Sequence, residues 1–519
     1  MADNPSDPVP IELNSLPGVK RDGTVLDGNY HNDAHWCRFQ RKRPRKIGGY
    51  RTLTGLLGGI CRGMHVFDQN NQTYVHTGFA SSLTRLTVDP NGVTSSITDR
   101  TPAALTASTN NMWQLDAIYD STGLGMKILA HAAPNLLDMS NDTALPVFYG
   151  DMTSTTVLTP TNAQNVSGGM FVIHPYVMTL GSNGVVEWSP PNNPNGFGGA
   201  GSSSARITDA KLVRGMQLRA GAGNGPSGLI WSLHSLLRVT FVGGTTIFNF
   251  DTITDDVSIM SSMCVIEYNG IYFWIGTDTF YMFNGVVREV QNDMNSNFFF
   301  DNLNYTYRNK VFAFKVPRFG EIWWCFPKGS DATECNWAVV YNVRENFWFD
   351  TPLPNGGRSA AQSAQVFRSP IMTGVDQTAS GSGFYYLWQH EFGVDELRGS
   401  RVLAIESAFE TANFMMAYGG IAGRPMNNAL VTNIIEPDFV QTGDMTLQVI
   451  GTSNARSTQY ASDITTFPDV ATTGSQQVLN IRTQIRQARY RYTSNVQGGD
   501  YQAGKILYHV QPGDEIITS

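Results

Sequence analysis

At 519 residues, 41% of them apolar and 15% charged, the chain holds too much hydrophobic side chain to be disordered and is too long for one core. Its 51 glycines and 24 prolines, with abundant Asn, Thr and Ser, are the composition of an all-β protein built on tight turns. A formal net charge of −7 argues against a dedicated duplex-binding surface, which would carry a strong basic excess to neutralise phosphates.

The first ten residues show neither a basic nor an apolar leader region, and no apolar run approaches a membrane span. Synthesis and folding in the cytoplasm, without membrane insertion, are expected. Residues 1–50 lack hydrophobic periodicity and read as an extended basic arm that gains order by lying on something else. Its run from Arg38 to Lys46 holds six cations in nine residues: Arg38, Arg41, Lys42, Arg43, Arg45 and Lys46. With Phe39 interleaved, the run could grip nucleic acid. Docking on an acidic face of a neighbouring subunit is the preferred reading.

From residue 51 to 395 the pattern is short β-rich runs joined by tight turns. The clearest stretch runs Leu237–Val242, turn Gly243-Gly244, Thr245–Phe250; then Met263–Tyr268, turn Asn269-Gly270, Ile271–Ile275; then Phe280–Phe283, turn Asn284-Gly285, Val286–Val290. Two-residue Asn-Gly and Gly-Gly links between β-branched and aromatic runs signal antiparallel hairpins, because primed turns need positive φ. Strands recurring in fours over roughly 40 to 55 residues predict propeller blades. Six blades are expected in 51–395, with seven the neighbouring count. The Gly/Ser/Asn-rich stretch at about 190–226 reads as a long inserted loop.

Residues 396–519 carry longer, more widely spaced strands and predict a separate C-terminal antiparallel β-sandwich or barrel. Arg482, Arg486, Arg489 and Arg491 are the candidate interface strand. Ile481 and Ile485 share parity with Arg489 and Arg491, so a β-bulge near Gln487 is expected to separate the two sets.

No phosphate-binding loop and no zinc-protease or serine-hydrolase signature occurs in the chain, so no catalytic, cofactor-binding or metal-ligating residue is assigned. The five cysteines, Cys37, Cys61, Cys264, Cys325 and Cys335, have no CxxC pair and read as buried thiols. His31 and His35 suit a solvated or docked pair better than a metal site. Asp255 and Asp256 read as turn residues, and the hairpin ending in Glu187-Trp188 as an ordinary Asn-Gly hairpin.

Several phrases, taken in order, resemble tail proteins of short-tailed bacteriophages: Arg38-Phe-Gln through Gly49-Tyr50, Gly63-Met-His-Val-Phe, Val75-His-Thr-Gly, Tyr272-Phe-Trp-Ile-Gly-Thr-Asp-Thr-Phe-Tyr281, Trp388-Gln-His-Glu391-Phe-Gly and the arginine-rich penultimate strand. The group is that of tail hub or nozzle proteins, also called packaged-DNA stabilisation proteins. The resemblance implies a six-bladed propeller with an added β-domain, assembled as a homohexameric ring in the virion tail below the portal-adaptor. Tail fibre or tail needle proteins would be further partners. Double-stranded DNA would be retained and then pass without specific binding. No enzymatic activity and no cofactor are implied. The alternatives are a propeller glycan hydrolase acting on the host surface and a receptor-binding tail protein.

Overall fold

The computed structural model describes residues 8–24, 27–53, 57–134, 145–164, 166–219, 225–364, 369–376, 384–416, 427–454, 457–469 and 477–515. It is all-β, with 55% strand against 4% helix, so the turn-and-strand reading of the composition holds. Six four-stranded antiparallel sheets follow one another along the chain. The first comprises Met64–Gln69, Gln72–Gly78, Leu83–Val88 and Thr94–Asp99; the second Asn111–Asp120, Gly125–Pro134, Val147–Asp151 and Thr159–Pro160. The third comprises Gly169–Ile173, Tyr176–Leu180, Val185–Trp188 and Ser203–Arg206; the fourth Leu212–Gln217, Ser227–Ser232, Leu236–Phe241 and Phe248–Thr254. The fifth takes Ile266–Tyr268, Ile271–Ile275, Phe280–Phe283 and Val287–Glu289; the sixth Phe312–Val316, Glu321–Phe326, Trp337–Asn342 and Phe347–Pro352.

A seventh sheet has six strands and a different construction. Gly357–Ala364, Ser369–Asp376 and Phe384–His390 form a meander, and its next strand is Tyr50–Thr52, which precedes the first sheet in sequence. Glu396–Arg398 then pairs parallel to Tyr50–Thr52, followed by Arg401–Leu403. The 51–395 span expected to hold six blades therefore contains six four-stranded sheets and most of this seventh one.

Of the predicted two-residue turns Asn269-Gly270 forms as its residues require, whereas Phe241 pairs with Phe248 and Phe283 with Val287, so the Gly243-Gly244 and Asn284-Gly285 links are longer loops. Asn269 and Gly270 both adopt left-handed φ, 52° and 82°, as a primed two-residue turn demands. Polar contacts run from each sheet to the next. Trp113 Nε1 donates to Phe79 O at 2.8 Å, Val172 N to Asp116 Oδ2 at 2.9 Å, and His174 N to Gln217 Oε1 at 3.4 Å. The Tyr272 hydroxyl donates to Gln217 O at 2.7 Å, Lys315 Nζ to Glu267 O at 2.7 Å, and Ser363 Oγ to Lys315 O at 3.1 Å. Val66 N donates to Gln362 Oε1 at 3.0 Å, which brings the seventh sheet back to the first.

Close packing accompanies these bonds. The Trp113 ring of the second sheet lies where a Cβ on Gly78 of the first would stand, 2.3 Å from Cγ, and Phe171 of the third crowds Gly215 of the fourth in the same way at 2.1 Å. Only glycine lets neighbouring sheets approach so closely under a large ring. Trp231 and Trp274 meet at 5.7 Å between the fourth and fifth sheets, and Phe280 and Trp324 at 5.6 Å between the fifth and sixth. Met263 packs against clusters that include Met112 of the second sheet, Val75 of the first, Ala360 of the seventh and the large core of the fifth and sixth.

The C-terminal strands build two further antiparallel sheets facing one another. One contains Asn428–Thr442, Leu479–Ile485 and Asp500–Glu515; the other Ser407–Glu410, Met445–Thr452, Tyr460–Ala461, Thr465–Phe467 and Gln487–Ser494. Phe439 on the first sheet meets Tyr492 on the second at 5.3 Å, and Tyr508 meets Tyr490 at 4.4 Å. Aromatic burial of this kind dominates a sandwich core.

Three expectations need correction. Residues 1–50 are not a separate arm among the described residues. Val9–Glu12, Cys37–Gln40 and Arg43–Lys46 join the first of the C-terminal sheets, and Asp33–His35 joins the second, so the C-terminal domain does not begin at 396. The 190–226 stretch is not one loop either: turns occupy its first part, and Ser203–Arg206 and Leu212–Gln217 close the third sheet and open the fourth. Between Leu479–Ile485 and Gln487–Ser494 the chain changes sheets at Arg486, and the bulge lies earlier, at Arg482, whose φ is 53°. Leaving one sheet for the other solves the parity conflict that a bulge at Gln487 was expected to solve.

Buried imidazoles give the fold an acid limit. Desolvation pulls His31 and His131 down to about 4, although a carbonyl faces Nδ1 of each, Leu16 O and Pro146 O. The unfolded chain takes up these protons near the ordinary imidazole value and the folded chain does not. Stability is therefore complete above about pH 6.5 and falls as pH drops toward 4, by on the order of 2–3 kcal/mol for each histidine. Urea midpoints measured between pH 7 and 4.5 are expected to decline, and a folded His131→Gln variant should decline less steeply; a flat profile contradicts the neutral burial.

Candidate interface: the basic hairpin and the arginine-rich strand

Arg41 and Lys42, with φ of 52° and 62°, form the primed turn of the hairpin Cys37–Gln40/Arg43–Lys46. Arg38, 1% exposed, lies inside the protein. Its Nη2 donates to Glu321 Oε2 of the sixth sheet at 3.0 Å, its Nη1 to Glu391 Oε2 at 2.9 Å, and its guanidinium sits 3.7 Å from the centre of the Phe319 ring. Burial lifts the Glu321 carboxyl above its ordinary value, while the Arg38 charge pulls the other way.

The other predicted docking residues divide in two. Arg43 reaches Glu12 Oε1 and Gly504 O, Arg45 reaches Gln40 Oε1, and buried Lys46 donates to Gly499 O at 2.7 Å, its ammonium made less basic by desolvation. These hold the hairpin to its own chain. The Arg41 and Lys42 side chains are exposed at the tip, where Arg318 and Arg344 are exposed as well.

The arginine-rich strand is likewise divided. Arg482 is exposed at the bulge, and Arg486 lies at the change of sheet, 3.5 Å from Asn427 Oδ1. Arg489 and Arg491 enter an ion-pair ladder. Arg21 bridges Asp350 of the sixth sheet, at 3.0 Å, and Asp33, at 2.5 Å; Arg491 reaches Asp33 at 3.2 Å; Glu410 receives Arg489 and Arg491. Burial opposes ionisation of Asp33, yet the bonds from His35 and Arg21 hold its pKa below the usual carboxylate range. For Glu410 burial prevails and the pKa rises. The ladder links the sixth sheet, the N-terminal segment and the C-terminal sheets.

Sequence reasoning found the cations and missed their anions. A signal existed: Glu321 opens Glu-Ile-Trp-Trp-Cys-Phe and Asp350 ends Phe-Trp-Phe-Asp, and a lone carboxylate in so apolar a strand needs a buried partner. Other candidates fall elsewhere. His31 and His35 have different partners, Leu16 O and Asp33. Asp255 and Asp256 are exposed in a turn, and Glu187 accepts from Gln164 N. The five cysteines are free and buried.

Two of the phrases that resemble tail proteins, Arg38–Tyr50 and Trp388–Gly393, meet here. Tyr50 packs on Trp388 and His390, each at 4.9 Å, and Arg38 is paired with Glu391. No protein-family model matches the chain, and no curated protein matches its sequence.

Removing one partner of a buried ion pair leaves the other charged and desolvated. Arg38→Met is expected to destabilise the protein by roughly 3–5 kcal/mol in urea unfolding. Lys42→Gly, at an exposed position with left-handed φ, should stay within about 0.5 kcal/mol of the parent. Equal effects would refute the division of the hairpin into a buried root and a free tip.

Proposed function

We propose that this chain is a structural protein of a bacteriophage tail, of the nozzle or hub kind, which retains packaged DNA and forms part of its exit path. In this reading the seven successive sheets are the blades of a β-propeller, one more than the resemblance implies. Strand Tyr50–Thr52 then completes the last blade from the N-terminal side, as a clasp between the two ends of the ring of blades. The C-terminal sandwich is the added β-domain.

The observation that carries the reading is the joint between Arg38–Tyr50 and Trp388–Gly393. Two of the phrases that resemble the tail-protein group fasten propeller to sandwich, through the Arg38–Glu391 pair and the pairing of Tyr50–Thr52 with Trp388–His390. A part under load from confined DNA needs stiffness at such a joint. Buried ion pairs, aromatic packing and continuous sheet provide it.

The mechanism is passive. The acidic balance of the chain limits the cation–phosphate contacts that would hold DNA tightly. Met263, packed among the first, second and seventh sheets, occupies the middle of the blades at its level, so the DNA path lies between copies of the chain and not through one propeller. A homohexameric ring below the portal-adaptor, closed by a repeated head-to-tail contact, supplies that path.

Six copies of the 57.1 kDa chain form a particle of about 343 kDa. Light scattering and electron microscopy of the chain mixed with its portal-adaptor are expected to show that mass and sixfold rings with an open centre. A monomer that persists under those conditions contradicts the proposal.

A further inference from the structure

The face of the first sheet turned toward the second carries buried basic side chains that form no ion pair among the described residues. His65, His76 and Arg85 stand opposite one another on three neighbouring strands, and Arg100 follows the fourth strand. His76 and Arg100 are 0% exposed and Arg85 is 4% exposed. Arg85 Nη1 donates to Ser154 O and Arg100 Nη2 to Asp151 O at 2.9 Å, both backbone carbonyls of the turn after Val147–Asp151. The Nε of Arg85, Nε and Nη1 of Arg100, and both ring nitrogens of His76 are buried without a partner.

Among the described residues no carboxylate forms an ion pair with either arginine. The nearby acids are engaged: Asp151 holds Lys127, and Asp99 accepts from Thr101. Burial and the repulsion of Arg85 outweigh the attraction of Asp151 and draw Arg100 down to about 10, and burial keeps His76 neutral. A guanidinium still charged at that value, buried beside a second one, is among the costliest arrangements a fold can hold unless an anion neutralises it. The turn that covers the pair has Thr153, Thr155, Thr156 and Val157 exposed.

We propose that Arg85 and Arg100 bind a small inorganic oxyanion, of the phosphate or sulfate class, beneath the 151–158 turn between the first and second sheets. The three unpartnered guanidinium N–H groups meet its oxygens, and neutral His76 adds one N–H from behind. The site is separate from the exposed cations of the basic hairpin.

Sodium phosphate titrated calorimetrically into the full chain, in low-chloride buffer at pH 7, tests this. One saturable site per chain is expected, displaced by sulfate, retained in Lys42→Gly and at least tenfold weaker in Arg85→Met and Arg100→Met. If those two variants do not fold, the parent titration alone decides. Absence of saturable uptake by the parent, as for a site filled by water only, overturns the proposal. So does unchanged uptake by a folded Arg100→Met, or loss of uptake in Lys42→Gly.

Discussion

The guanidinium of Arg38, sealed between Glu321 and Glu391, is the contact on which the architecture turns. It lies on the N-terminal hairpin, one of its acids is in the sixth sheet, and the other follows the seventh. Charges taken out of water are favourable only when geometry and hydrogen bonding are complete, so the pair specifies one docking arrangement more than it adds net stability. Stability comes from what the pair positions. Trp36 packs on Trp323 at 6.0 Å, Phe39 on Phe349 at 5.9 Å, and Tyr50 on Trp388. The ladder from Asp350 through Arg21, Asp33 and Arg491 to Glu410 repeats the device at a second place.

With the N-terminal segment contributing strands to both C-terminal sheets and to the seventh sheet, that segment, the fourth to seventh sheets and the C-terminal sheets share one hydrophobic core, while further clusters join the first three sheets to their neighbours. Detaching the N-terminal strands requires breaking pairings made by residues hundreds of positions apart. High contact order of that sort slows folding and resists local opening, as the proposed role under mechanical load requires. The outer strands are plainer: Thr94–Asp99, Ser203–Arg206 and Val287–Glu289 are largely exposed, as expected at the edge of a sheet.

Local structure was legible in the sequence where turn chemistry dictates it. The Asn269-Gly270 hairpin and the meander beginning at Met64 lie where their residues place them. Illegible was everything decided by distant partners. The strands at 33–35 and 43–46 are too short to show alternation; the first is a strand by pairing with residues near 410, and the second, hairpinned to 37–40, joins its sheet through Gln502. The Gly/Ser/Asn-rich composition near 200 hid Ser203–Arg206, an exposed edge strand that needs no apolar face. The number of sheets was hard to count because the seventh borrows Tyr50–Thr52 from the other end of the series. At the candidate interface the cations were conspicuous as a run. The burial of Arg38 depended on Glu321 and Glu391, which nothing local connects to it.

Hydrogen exchange resolved to single amides measures directly whether the N-terminal segment is part of the rigid framework. The amides of Arg38, Phe39 and Lys46 should be protected to the same degree as those of Trp323 and Trp324 in the sixth sheet, and Lys42 at the tip should exchange quickly. Rapid exchange throughout 37–46, with the sixth sheet still protected, would contradict the account, because a segment free to leave could not be what joins the two parts of the molecule.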